Sequence, residues 1–360
     1  MKTTLTGIAL FMALSLLEAA NLAAQTETSP LTFNVQIRSG VTVNMGATVL
    51  SRQQGSKRDG LLIVGQASQT AATFATLAES ILASDAKVSS VTLLDFPGHG
   101  TSGLPSGGGV KLGDLTLDDY ASAFLASLAA LDGLQVKITA IVGHGLGGEI
   151  VQLAQTKLLQ SGRSLRRDFH IRAAVFIVPT IGAPLQWAAI DAGAADGLAA
   201  VFIRNDPSLG TVYDLLTHVT GPTTWVALYY ANNAATVAPG APTPAQAVSN
   251  GWIAVESGLA FKELIGLPNT PGGPRLPRPA IGMNTFTKSS GTIAAVVALE
   301  QDALYFFPDE HKALYEYLTG DPDDTLFFTV TGPFTVENIH TITPLSYNAL
   351  IQTVLDASRN

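Results

Sequence analysis

The sequence predicts an α/β fold, a mostly parallel sheet with helices on both faces and one long inserted segment. Three observations carry this reading. Short, largely apolar runs such as Leu61–Val64, Val91–Leu94 and Ile138–Val142 alternate with longer helical stretches. These runs lack the strict polar/apolar alternation of a half-exposed strand, as strands covered on both faces do. The strand–helix rhythm stops near residue 182 and resumes near residue 289.

Taken in order, residues 31–50 alternate apolar and polar about a Ser39-Gly40 turn, the pattern of a β-hairpin. Leu61–Val64 ends at Gly65 and is followed by a helical stretch over 71–83. The next strand, 91–94, runs into Asp95-Phe-Pro-Gly-His-Gly100, and 116–131 is helical, opened by a capping-box-like Thr116-Leu-Asp-Asp119. The run 138–142 breaks at Gly143, a helix is expected over 149–159, and 173–178 is a further strand. Residues 182–288 hold helical pieces and two stretches rich in Pro, Gly, Ala and Asn, and they carry Trp187, Trp225 and Trp252. An irregular insertion of this length between sheet strands reads as a cap over a site, with the tryptophans packing it down or meeting substrate. Strand 292–299, helix 309–318, strand 325–330 and helix 346–358 complete the second part of the core. The expected organisation is 1–24 signal peptide, 25–181 core, 182–288 cap and 289–360 core.

The leader follows from Lys2, the 13-residue, mostly apolar stretch Leu5–Leu17 and the small residues up to Ala24. The stretch is shorter than the about 20 residues a membrane span needs, so stable membrane insertion is not expected. The mature chain is expected to be secreted or periplasmic.

Composition narrows the chemistry. Of 360 residues, 47% are apolar and 13% charged, which suits a large buried core and excludes disordered classes. Twenty Lys+Arg stand against 28 Asp+Glu, a net charge of −8 with no basic run, so no nucleic-acid partner is expected. With no cysteine, thiol catalysis, zinc–thiolate sites and iron–sulfur clusters are excluded. The glycine run at 106–109 follows no strand, so it is not a phosphate loop, and no metal or other cofactor is expected. Asp321-Pro-Asp-Asp324 reads as a turn.

Three segments carry chemistry in a definite order. Ile63-Val-Gly-Gln-Ala67 ends an early strand, Gly143-His-Gly-Leu-Gly-Gly148 joins a strand to a helix, and Asp302 and His340 follow the last two strands. This order resembles the α/β-hydrolase superfamily, particularly its capped esterase and lipase-like members, over residues 58–182 and 290–358. Asp95-Phe-Pro-Gly-His-Gly-Thr-Ser102 resembles the family loop before the elbow strand, with Gly98 lying 47 residues before Gly145. The resemblance implies a sharp strand-to-helix elbow whose neighbours must be small. It implies an oxyanion hole made by the backbone N–H groups of Leu146 and Gln66, with His340 as general base oriented by Asp302. His144, Trp187, Trp225 and Trp252 are the candidate substrate contacts, and an apolar small-molecule ester or acyl compound is the implied substrate.

The departure is at position 145. The family places its nucleophilic serine there, and this chain has glycine. Without a hydroxyl there is no acyl-enzyme route at that position. Three readings stay open: an ester hydrolase by descent that lost its nucleophile, slow hydrolysis by a water that Asp302 and His340 activate, or a binding protein on the same fold. Among the other histidines, His99 is expected to be a structural hydrogen-bonding residue, His170 and His311 to be solvated, and His218 to lie in the cap.

Overall fold

The computed structural model describes residues 26–52, 59–66, 69–84, 87–179, 219–220, 246, 249–252, 254, 256–265, 273–274, 276, 279–287, 289–300, 308–321, 323, 325–331 and 344–358. In chain order these form β1 (Thr26–Arg38), β2 (Val41–Arg52), β3 (Asp59–Val64), α1 (Ala75–Ser84), β4 (Val88–Leu94), α2 (Leu117–Gly133), β5 (Ala140–His144) and α3 (Leu146–Gln160). They continue through α4 (Leu165–Phe169), β6 (Ala173–Ile177), β7 (Val219–Thr220), β8 (Glu256–Ser257), α5 (Gly258–Ile265), β9 (Ile293–Leu299), α6 (Pro308–Thr319), β10 (Phe327–Val330) and α7 (Pro344–Ala357).

Among the described residues, eight strands form one sheet in the order β1-β2-β4-β3-β5-β6-β9-β10. The β1–β2 and β2–β4 pairs are antiparallel, and every pair from β4 to β10 is parallel. The division follows the sequence pattern. β3, β5 and β6 are buried along their whole length, whereas β1 alternates buried and exposed positions towards its end. Connections between parallel strands are right-handed, so stepping from β3 to β4 and then back past β3 to β5 puts α1 and α2 on opposite faces. Accordingly α1 packs against α7, and α2 against α3.

Local chemistry sets the boundaries. Thr116 caps α2 by accepting from the Asp119 N–H, and the Asp119 carboxylate accepts from the Thr116 N–H at 3.0 Å, which completes the capping box. The hairpin is longer than the alternation suggested, running from 26 to 52 about Gly40, whose φ of +71° suits the turn. Helix α3 begins at Leu146 rather than at 149, because the elbow turns directly into it; the low helix propensity of Gly147 and Gly148 hides that start. The short α4 was not anticipated. His311, expected to be solvated, is fully buried, because α6 packs on β9 and its Nε2 sits 3.3 Å from the Pro179 carbonyl. His170 is exposed at the left-handed C-cap of α4. Asp321 organises a turn, accepting from Tyr315 Oη at 2.8 Å and from the Asp323 N–H at 3.1 Å.

Asp95, at the end of β4, ties two loops together. Its buried carboxylate accepts from the Ala71 N–H at 2.7 Å, the Thr101 N–H at 2.9 Å and Thr101 Oγ1 at 3.0 Å. Asp95→Ala leaves these donors without their acceptor and is expected to lower unfolding free energy by about 2–4 kcal/mol in urea titrations; a loss below about 0.5 kcal/mol would show that the carboxylate is dispensable.

Candidate active site

Because β4, β3, β5, β6, β9 and β10 run in one direction, the loops that leave them share one edge of the sheet. The chain steps from β3 to β4 in one sense and from β5 through β6 and β9 to β10 in the other, so a crevice opens where β3 and β5 end. Gln66 follows β3 and Gly145 follows β5, so the two residues flank that crevice.

Gly145 holds φ +42° and ψ −110°, a conformation that strains any residue with a Cβ. Its N–H donates to the Ile177 carbonyl at 3.0 Å, and its own carbonyl accepts from the Glu149 N–H at 3.2 Å. The neighbouring glycines are forced by contact rather than by dihedrals. A Cβ on Gly147 would lie 2.6 Å from the carbonyl oxygens of Val64 and Gly65, and one on Gly143 would lie 2.7 Å from the Gly148 Cα. The elbow expected from the sequence is therefore present around a residue with no side chain.

The side chain of Gln66 fills the space beside it. Gln66 is fully buried, and its Oε1 accepts from the Leu146 N–H at 2.6 Å. A Cβ on Gly145 would fall inside this amide, 2.6 Å from Nε2 and closer still to Oε1. The two residues expected to supply oxyanion donors are thus adjacent, but the Gln66 side chain is bonded to the Leu146 donor. His144 is fully buried with its ring 4.6 Å from that of Phe74, which places it in packing beneath the elbow. Trp252 is half-buried, and its carbonyl accepts from the Thr70 N–H at 3.0 Å and Thr73 Oγ1 at 3.3 Å. Asp302, His340, Trp187, Trp225 and His218 lie outside the described residues, as does the leader 1–24.

A second buried cluster lies on the β4 side of the same edge. His99 and Glu256 are both fully buried, with Nε2 3.2 Å from Oε2. His99 Nδ1 faces the Pro97 carbonyl at 3.1 Å. Both ring nitrogens therefore face oxygen atoms, Nε2 the Glu256 carboxylate and Nδ1 the Pro97 carbonyl. Burial opposes a charge on the ring, but the Glu256 carboxylate and the Pro97 carbonyl outweigh it and raise the pKa of His99. Burial likewise opposes the Glu256 charge, yet His99 and the hydroxyl of Tyr120, which donates to Oε1, hold its pKa down. Burial and the Glu256 charge keep Tyr120 neutral. Ser257 Oγ donates to the Leu115 carbonyl at 2.7 Å, which anchors the same segment to the loop before α2.

Seven residues on, Glu263 accepts from the Leu117 N–H at 2.7 Å in the first turn of α2. Burial pushes its pKa up to about 7; the Leu117 hydrogen bond opposes this, and Asp119, Glu149 and Asp118 add to it. Sequence reasoning found His99 as a structural hydrogen-bonding residue but missed Glu256, Glu263 and the Gln66 side chain. The signal for Glu256 was a lone carboxylate between the small and apolar residues of Ala254–Ala260. Among the described residues no group of His, Asp and Glu is placed to hold a metal ion, and no helix is long and apolar enough to cross a membrane.

The Glu263 shift has a definite sign. A carboxyl with a raised folded-state pKa contributes stability that is present below about pH 4.5 and is lost as pH rises through about 7. Unfolding free energy is therefore expected to fall by on the order of 2 kcal/mol from about pH 5 to about pH 8, with Glu263→Gln flattening part of that slope. Parallel pH profiles for the parent and Glu263→Gln would exclude Glu263 as its source.

Comparison with known proteins places these features. A family model described as the alpha/beta hydrolase family matches residues 64–316. No match is found among curated proteins. One solved structure, from a study of novel epoxide hydrolases of the alpha/beta hydrolase superfamily in metagenomes from hot environments, superposes with a TM-score of 0.56. It is 15% identical, and the alignment covers 90% of this chain and 98% of that one. An alpha/beta hydrolase from Novosphingobium aromaticivorans DSM 12444 superposes with a TM-score of 0.51 at 14% identity, covering 92% and 98% of the two chains. At these identities the likeness is one of fold.

Proposed function

Because the chain belongs to the alpha/beta hydrolase family, we propose that it is a carboxylic-ester or related acyl-bond hydrolase by descent whose covalent route is closed. It would be an exported pseudoenzyme that keeps the architecture of the reaction without its nucleophile. The observation that carries this reading is Gly145 at the elbow with φ +42° and no hydroxyl. In this reading His340 and Asp302 are the inherited base and its orienting acid, and the loops at the sheet edge receive an apolar acyl compound. The Leu5–Leu17 stretch and the small residues up to Ala24 support export. The Leu146 N–H is already bonded to Gln66 Oε1. That favours binding over slow water-mediated hydrolysis, since an oxyanion forming there would have to displace the amide.

The test compares the chain with Gly145→Ser on p-nitrophenyl esters of short to long acyl chains. The parent is expected to stay at the background rate, and the serine variant to exceed it by about tenfold or more, with the gain abolished by adding His340→Ala. A parent rate that itself falls with His340→Ala would replace this reading by water activation, and no gain with serine, either alone or combined with Gln66→Ala, would remove the ester-hydrolase descent.

A further inference from the structure

We propose that the Gln66 side chain is the resident occupant of the oxyanion site, an internal carbonyl that stands in for the side chain missing at position 145 and makes Gly145 and Gln66 a matched pair. The proposal rests on the reading of the sheet edge as a hydrolase site. Three observations meet in one volume. Gln66 Oε1 accepts from the Leu146 N–H at 2.6 Å, the donor the fold would aim at a developing oxyanion. The amide overlaps the position of a Cβ on residue 145. Gln66 is fully buried beside an elbow whose other close contacts, Gly147 on the Val64 and Gly65 carbonyls and Gly143 on Gly148, are backbone against backbone.

The chemistry of the occupant fits its place. An amide oxygen is a strong neutral acceptor, and here it meets the first N–H of α3, one of the donors a helix start cannot satisfy internally. Leaving that N–H empty in a buried site would cost free energy, and a glycine at 145 opens the room for Gln66 to prevent it. The same contact makes the closure reversible by substitution. A side chain at 145 and the amide compete for one volume, and the amide is the flexible partner. A serine at 145 therefore gives an incompletely opened site, in which Gln66 still competes with substrate for the Leu146 donor.

A double-substitution experiment on the whole chain tests this. The thermal midpoints of Gly145→Ala, Gln66→Ala and the double variant are compared with the parent. On the Gly145→Ser background, kcat and KM for p-nitrophenyl acetate are compared with and without Gln66→Ala. Gln66→Asn, one methylene shorter, replaces alanine if alanine unfolds the chain. The expected results are a midpoint loss in the double variant smaller than the sum of the single losses, and a kcat gain of about 100-fold when Gln66 is removed beside serine, with KM changed far less. Additive midpoints, or a serine variant that is equally fast or faster with Gln66 in place, overturn the proposal. Coupled midpoints with no rate in either serine variant keep the pair and overturn the hydrolase reading; a fast serine variant indifferent to Gln66 does the reverse.

Discussion

The start of α3 lies so close to the carbonyl ends of β3 and β5 that no side chain fits between them. Gly147 meets the Val64 and Gly65 carbonyls, and Gly143 meets Gly148, both across backbone. This contact brings β3, β5 and α3 together at the edge where the strand order reverses, and the geometry of the site follows from it. It drives the chain at 145 into a positive-φ turn and aims the first N–H of the helix into the crevice. In the family's serine hydrolases the nucleophile sits on that turn, and the N–H of the next residue belongs to the oxyanion hole. In this chain the turn is intact, and the N–H is met by the protein itself.

A second constraint holds the segment around β8 and α5 to the loop edge. Its carboxylates enter the core: Glu256 meets the His99 ring and Tyr120, and Glu263 meets the start of α2. A buried pair of this kind is weak evidence for net stability, because desolvation offsets much of the attraction. Its effect is on position, since removing either partner leaves a buried charge alone. The loop that carries His99 also carries Gly100, Thr101 and Ser102, and Asp95 bonds Thr101 and the Ala71 N–H together. The β3 and β4 loops are thereby fixed relative to each other and to Gly251, Trp252 and Glu256.

Much of the core was legible in the sequence, and the reason is local. β3, β5 and β6 read as unbroken apolar runs because both of their faces are covered, and the elbow glycines read as a close approach because little else requires small residues at that spacing. The start of α3 was misplaced because its glycines carry no helix signal, and tertiary packing overrides propensity there. The buried polar contacts were not legible. Tyr120 and Glu256 are 136 residues apart in sequence, and Leu117 and Glu263 are 146 apart, so no local pattern joins them. His311 looked solvated among polar neighbours, and only the docking of α6 on β9 buries it. For Gln66 the sequence offered only the backbone N–H role that the family resemblance implies. Its side chain could not be assigned from sequence, because the space it fills exists only once Gly145 has turned.

The measurement that tests this account most directly is amide hydrogen exchange at Leu146 in the parent and in Gln66→Ala. If the glutamine amide holds that N–H, exchange is slow in the parent and accelerates by about tenfold or more in the variant, while the Val142 amide in the middle of β5 keeps its rate. Equal Leu146 rates in the two proteins would contradict the claim that Gln66 occupies the site.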